Sequence, residues 1–169
     1  MNDGDAFTAR IVEREPQPTA AVRIQQRMAE LDLAAAFNRS LPLVEQKVRD
    51  AGGTIAGPSY GRYHRFGPDI VDVEIGFPVN APVPGLPALE DGESGSVGSS
   101  QLPGGSLAST EYVGSYDGLG GVYDRLHDWI HAQPGYDDGP GPWESYLSMP
   151  GQAPDGEPRT EIVWPLRPE

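Results

Sequence analysis

Two octapeptides decide how the chain is read: DVEIGFPV, Asp72 to Val79, and RTEIVWPL, Arg159 to Leu166. In register they share Glu, Ile and Pro, each with an aromatic residue before the proline, at an offset of 87 residues (159 minus 72). A fixed offset marks an internal repeat, which sets the architecture before any local reading is attempted. The same offset lays EPQPTAAVRIQ (Glu15 to Gln25) over LPGGSLASTEY (Leu102 to Tyr112), with Pro16 on Pro103 and Ala21 on Ala108. Between them, GPSYGRYH (Gly57 to His64) matches GPWESYLS (Gly141 to Ser148), with the Gly-Pro pairs at an offset of 84 and Tyr60 on Trp143 and Tyr63 on Tyr146 at an offset of 83. Loops of unequal length account for the difference.

Each repeat reads as strand, tight turn, strand, helix and two further strands. In the first, FTARIVER (residues 7–14) alternates, Pro16-Gln17-Pro18 reads as a turn, and residues 19–26 return as a strand. Apolar residues at 33, 37, 41, 44 and 48 then give helical spacing over residues 31–50, ended by Gly52 and Gly53, with a kink or break expected at Pro42. The second repeat follows suit: strands over residues 97–102 and 106–113 about a Pro103-Gly104-Gly105 turn, then a helix over about residues 119–132 with Val122, Leu126, Trp129 and Ile130 on one stripe. The repeats span about residues 7–79 and 96–167, inside a single domain covering 1–169. The Pro-, Gly- and acid-rich segment 80–95 between them, with its acidic run from Glu90 to Glu93, reads as a solvated, flexible linker.

Composition narrows the function. A net charge of −13 argues against a phosphate-tracking surface, because nucleic-acid affinity comes from Lys and Arg displacing counterions, so no direct nucleic-acid binding is expected. Absence of cysteine excludes disulfides, thiolate nucleophiles and Cys-ligated metals together. No basic start precedes an apolar run and no window reaches the roughly 20 apolar residues of a membrane span, so a soluble, cytoplasmic protein without membrane contact is expected. A monomer, or a weak dimer through an exposed sheet edge, is the expected state.

With these residues in place, the chain resembles the GyrI-like, or AraC-type effector-binding, family of small-molecule-binding domains. The resemblance rests on LPGGSLASTEYVGSYDGLGGVYDRLHDWI, GPWESYL and RTEIVWPL in that order, and extends over nearly the whole chain through the repeat. It implies an α+β fold: two pseudo-twofold-related strand-strand-helix-strand-strand units forming an antiparallel sheet, with helices on one side and a ligand groove on the other. It also implies a buried glutamate that meets cationic aromatic ligands, and the matching position is Glu144 in WESY. Few residues precede the first strand, so the chain is similar to members without a DNA-binding helix-turn-helix. Those include antidotes to gyrase poisons and hydrolases that open the cyclopropane of DNA-alkylating natural products in an aromatic cage.

In a strand, Glu144 and Tyr146 share one face, and the repeat puts Gly61 and Tyr63 on the corresponding face of the first half, where the small Gly61 leaves room for a ligand. Trp164 and Phe77, which precede matching prolines, are candidate groove walls, joined by Tyr112 and, more weakly, Tyr116 and Tyr60. For sequestration of aromatic or cationic xenobiotics, the ligand-binding set is therefore Glu144, Tyr146, Tyr63, Gly61, Trp164, Phe77 and Tyr112. In the hydrolase alternative Glu144 and Tyr146 are the catalytic candidates, placing a water for attack on the ring carbon. In a third reading the acidic surface contacts a DNA enzyme such as gyrase by mimicking nucleic-acid charge.

The remaining features carry less. His127 and His131, with Asp124 one turn earlier, have the spacing of a metal-ligating pair, but no second motif supplies another ligand, so no metal and no cofactor are expected. Gly118, Gly120 and Gly121 match no phosphate-binding fingerprint and read as a close turn. Glu74 and Glu161, matched by the repeat, are expected to be structural.

Overall fold

The computed structural model of the protein describes residues 7–30, 32–89, 96–148 and 157–168. Nine strands and two helices are found among them: β1 (Ala9–Arg14), β2 (Gln17–Arg27), α1 (Leu33–Asp50), β3 (Tyr60–Phe66), β4 (Ile70–Pro78), β5 (Gly98–Leu102), β6 (Gly105–Val113), α2 (Leu119–His131), β7 (Tyr136–Asp138), β8 (Trp143–Ser148) and β9 (Arg159–Pro168). Within each unit the paired strands run antiparallel, and the class is α+β. The acidic run Glu90 to Glu93 lies outside the described residues.

Two compact units divide the chain, the described residues of Met1–Glu15 with Gly104–Glu169, and Pro16–Pro103. In the first, β1 pairs with β6, β6 with β9, and β9 with both β8 and β7. In the second, β3 pairs with β4, β4 with β2, and β2 with β5. The first strand of each repeat therefore pairs with the second strand of the other repeat, and the tight hairpins expected at Pro16-Gln17-Pro18 and Pro103-Gly104-Gly105 do not form. A proline holds φ near −65° and pushes the residue before it toward extended backbone, so the same residues that mark turns also carry a strand onward. Here only Glu15 and Pro16 separate β1 from β2.

The two central strands keep the register read from sequence. Tyr60, Gly61 and Tyr63 lie opposite Gly76, Ile75 and Val73, while Trp143, Glu144 and Tyr146 lie opposite Val163, Ile162 and Thr160. Each pairing slips after its tyrosine, between Tyr63 and Arg65 in one unit and between Tyr146 and Ser148 in the other. Gly61 thus occupies in β3 the position that Glu144 occupies in β8.

Helix α1 begins at Asp32, whose carboxylate accepts a hydrogen bond from the Ala35 amide, and ends where Gly52, at φ 79°, lets Gly53 N–H reach the Val48 carbonyl at 2.8 Å. It runs unbroken through Pro42, in place of the two pieces expected. Pro42 and Asn38, whose carbonyl loses its helical donor, are both exposed, so water can take the vacant bond. The buried face of α1, Ala36, Val44 and Val48, packs on Val22, Ile24, Val73 and Ile75. In the other unit Leu119, Val122, Leu126 and Ile130 of α2 pack on Ala108 and Ile162. Each Val, Leu or Ile among them, fully buried, contributes about 1.5–3 kcal/mol. Strand β7 was not anticipated: its three residues, Tyr-Asp-Asp, are too short and polar to show a strand pattern.

Two glycines separate backbone need from mere tolerance. A Cβ on Gly76 would lie 2.1 Å from the Ala20 carbonyl oxygen, whereas one on Gly121, in α2, meets open space. Denaturant unfolding of Gly76→Ala should show a loss of roughly 1–3 kcal/mol, the usual cost of overpacking. Gly121→Ala should instead gain up to about 1 kcal/mol from helix propensity.

Candidate functional site

Glu144 is the centre of the arrangement. It is 6% exposed, its Oε2 accepts a hydrogen bond from the Tyr123 hydroxyl at 2.8 Å, and its Oε1 accepts one from Tyr146 at 2.8 Å. Tyr123 projects from α2, and Glu144 stands opposite Ile162, which packs against the same helix. The carboxylate therefore lies on the α2 side of the sheet, a different face from the helix-free side on which the sequence reading put the groove. The reason is tertiary: Ile162 alternates with Glu161, and α2 covers the apolar of the two.

Aromatic rings extend from the acid. Tyr146 meets Tyr116 edge to face at 6.0 Å between centroids, and Tyr123 meets Trp164 in the same way at 6.0 Å. Exposure rises from buried Glu144 through half-buried Tyr146 to exposed Tyr116, which gives the acid an aromatic route to solvent. Trp164 donates from its indole Nε1 to the Gly139 carbonyl at 2.9 Å, which fixes the ring. Tyr112 packs against the α2 cluster, and a Cβ on Gly118 would fall 2.1 Å from its hydroxyl, so that glycine makes room for a tyrosine. Between Tyr112 and Tyr146 in the sheet stands Thr160, fully buried, with a hydroxyl that finds no hydrogen-bond partner among the described residues.

Thus Glu144, Tyr146, Trp164 and Tyr112 come together on the α2 side of one unit, with Tyr116 beside them. Gly61, Tyr63 and Phe77 belong to the other unit, where Tyr63 and Phe77 pack against the α1 cluster. Tyr60 is buried in a polar network, donating to Glu74 and, at 3.0 Å, to Thr19. Tyr123 and Thr160 were missed by sequence reasoning. Tyr123 flanks the apolar stripe of α2 four residues after Leu119, which was the available signal.

Charge accounting sets Glu144 apart. Four acids are buried among the described residues: Asp72, Glu74, Glu144 and Glu161. Asp72 takes two hydrogen bonds from the Arg23 guanidinium, at 2.8 and 2.9 Å. Glu74 has His64 at 2.9 Å and Arg62 as its cross-strand neighbour. Glu161 has Arg14 at 2.6 Å and the Ser109 hydroxyl at 2.6 Å. Glu144 has phenol hydroxyls only, with no basic group in ion-pairing range among the described residues.

The protonation equilibria follow. Burial works to raise the carboxyls of Asp72, Glu74 and Glu144; at Asp72 the Arg23 and Gln25 bonds outweigh it, and at Glu74 the bonds from His64, Tyr60 and Ser100 do so. At Glu144 burial wins over the two tyrosine bonds, and its pKa lies above the usual carboxylate range. Burial and the Glu144 charge together raise Tyr116.

Comparison with known proteins agrees with this fold. Residues 8–167 match the GyrI-like small molecule binding domain, and the chain belongs to that family. The crystal structure of the EcmrR C-terminal domain superposes with TM-score 0.72 at 22% identity, covering 95% of this chain and 98% of that one. In the EcmrR–DNA complex the chain spans only 57% of the EcmrR length, at 23% identity and TM-score 0.72. A hydrolase from Listeria innocua (TM-score 0.61, 12% identity, 95% and 92% coverage) and SAV2435 bound to tetraphenylphosphonium (TM-score 0.60, 11% identity, 95% and 94% coverage) share the fold. Comparison with curated protein sequences finds no match. No helix among the described residues is long and apolar enough to cross a membrane.

Because its folded pKa is raised, Glu144 favours folding when protonated, and that contribution fades as pH rises through the folded value. Glu144→Gln, a neutral isostere, should therefore be more stable than the wild type at pH 8. The gap should close as pH falls toward 4, where the wild-type acid is itself neutral, and urea unfolding across that range measures it.

Proposed function

We propose that the protein binds and sequesters aromatic, cationic small molecules, with Glu144 as the anionic anchor and Tyr146, Tyr123 and Tyr116 as the aromatic surround. The observation that carries this is the buried carboxylate without a base. An ionised acid in a poorly hydrated site is costly unless compensated, and a ligand cation supplies the charge that Arg23, Arg62 and Arg14 supply at the other three acids. Ring faces add about 0.5–2 kcal/mol per contact with a cation. The net charge of −13 raises the local concentration of cations around the protein.

A second reading uses the same atoms for catalysis. An acid with a raised pKa held between two phenols can donate a proton or orient water, as a cyclopropyl hydrolase would require. Attack of water on the ring carbon would break the strained carbon–carbon bond, with the proton ending on the dienone-derived oxygen. The two readings separate on turnover: a cyclopropane-bearing alkylator converted to its water adduct many times per protein establishes hydrolysis, and none leaves binding alone.

Tetraphenylphosphonium, the ligand of the SAV2435 structure, is a suitable first probe. Titration calorimetry should show saturable binding that Glu144→Gln weakens by at least about 1 kcal/mol, roughly fivefold. Tetraphenylborate, of like shape and opposite charge, should bind far more weakly. Equal affinity for the two ions, or no effect of the substitution, defeats the assignment.

A further inference from the structure

A second cluster lies on the same flank of α2. His127 and His131 stand one turn apart, their rings 4.4 Å between centroids. Both are directed at Asp138 of β7: His131 Nε2 is 2.7 Å from Asp138 Oδ1 and His127 Nε2 is 3.7 Å from the same oxygen. The three donor atoms lie within 4.8 Å of one another. Asp124, the acid that sequence spacing put beside the pair, is not among them. The third ligand comes instead from the three-residue strand that sequence reasoning did not find.

We propose that His127, His131 and Asp138 form a binding site for a divalent transition-metal ion of the zinc, nickel or cobalt type. Two imidazoles converge on one carboxylate oxygen, and only the nearer makes a short hydrogen bond with it. An ion placed among the three donors would engage both rings and the acid at once. A set of two nitrogens and one oxygen suits these borderline ions and disfavours magnesium and calcium, which take all-oxygen shells. Three protein ligands leave at least one coordination position open to water or to a ligand group.

The backbone holds the donors in place. Asp138 pairs with Leu166 across β7 and β9, and its own N–H bonds to the Asp137 carboxylate at 2.9 Å. Asp137 lies 3.4 Å from His131 Nε2 but also 3.6 Å from Arg167, whose charge holds it back as a ligand. The side chains of His127 and His131 are almost half exposed, which leaves the ion a path in from solvent.

The test uses the full chain without an affinity tag. Zinc chloride titrated calorimetrically should bind once per chain, unaffected by excess magnesium. His127→Gln, His131→Gln and Asp138→Asn should each weaken binding by at least about tenfold, since even outer-shell partners of metal ligands are worth that much. Cobalt added to the wild type should shift and broaden the His127 and His131 imidazole resonances, a readout that does not depend on any variant folding. Absence of saturable zinc binding below millimolar concentration, zinc affinity unchanged in the variants, or histidine resonances indifferent to cobalt would each overturn the site.

Discussion

Each unit depends on one central strand. β4 is held between β2 and β3, and β9 between β6 and β8, so residues 71–76 of the one and 159–163 of the other have a paired strand on both sides. Alternation along these strands then sorts the chemistry. Ile75 and Ile162 go to the helix side, while Glu74 and Glu161 go to the opposite face, where bases meet them. A one-residue slip would exchange the two sets, putting acids under helices and isoleucines against the basic side chains. The matched slips after Tyr63 and Tyr146 show both units solving the same geometric problem at the same place.

Against that symmetry, Glu144 is a break. Its counterpart, Gly61, asks nothing of its surroundings, whereas Glu144 draws a tyrosine from α2 and another from its own strand. Replacing a glycine by an acid at a helix-covered position is unfavourable for folding, since it removes a carboxylate from water without a counterion. Folds tolerate such positions where binding supplies the compensation. The same reasoning explains why Glu74 and Glu161, equally buried, do not point to a ligand site: their charges are already answered within the protein.

What the sequence disclosed divides along the range of the interactions. The repeat, the α+β class, both helices and the pairing of Gly61 with Glu144 were legible because alternation and helical spacing are local patterns. The strand exchange was not, because Pro16 and Pro103 are compatible both with reversal and with straight continuation, and only distant partners choose between them. The face of Glu144 was illegible for a similar reason: alternation groups it with Tyr146, but which face a helix covers is decided by Ile162, eighteen residues away (162 minus 144). Tyr123 and Asp138 reach their partners from a helix flank and a three-residue strand, neither of which carries a periodic signal.

One flank of α2 ties these observations together. Tyr123, His127 and His131 recur every four residues, so they form a single row beside the apolar stripe of Leu119, Val122, Leu126 and Ile130. Trp164 touches the first two of the row, at 6.0 Å from Tyr123 and 5.8 Å from His127. Its indole is fixed by the Gly139 carbonyl, one residue beyond Asp138. The carboxylate end and the imidazole end of the row are therefore joined by one ring held from β9.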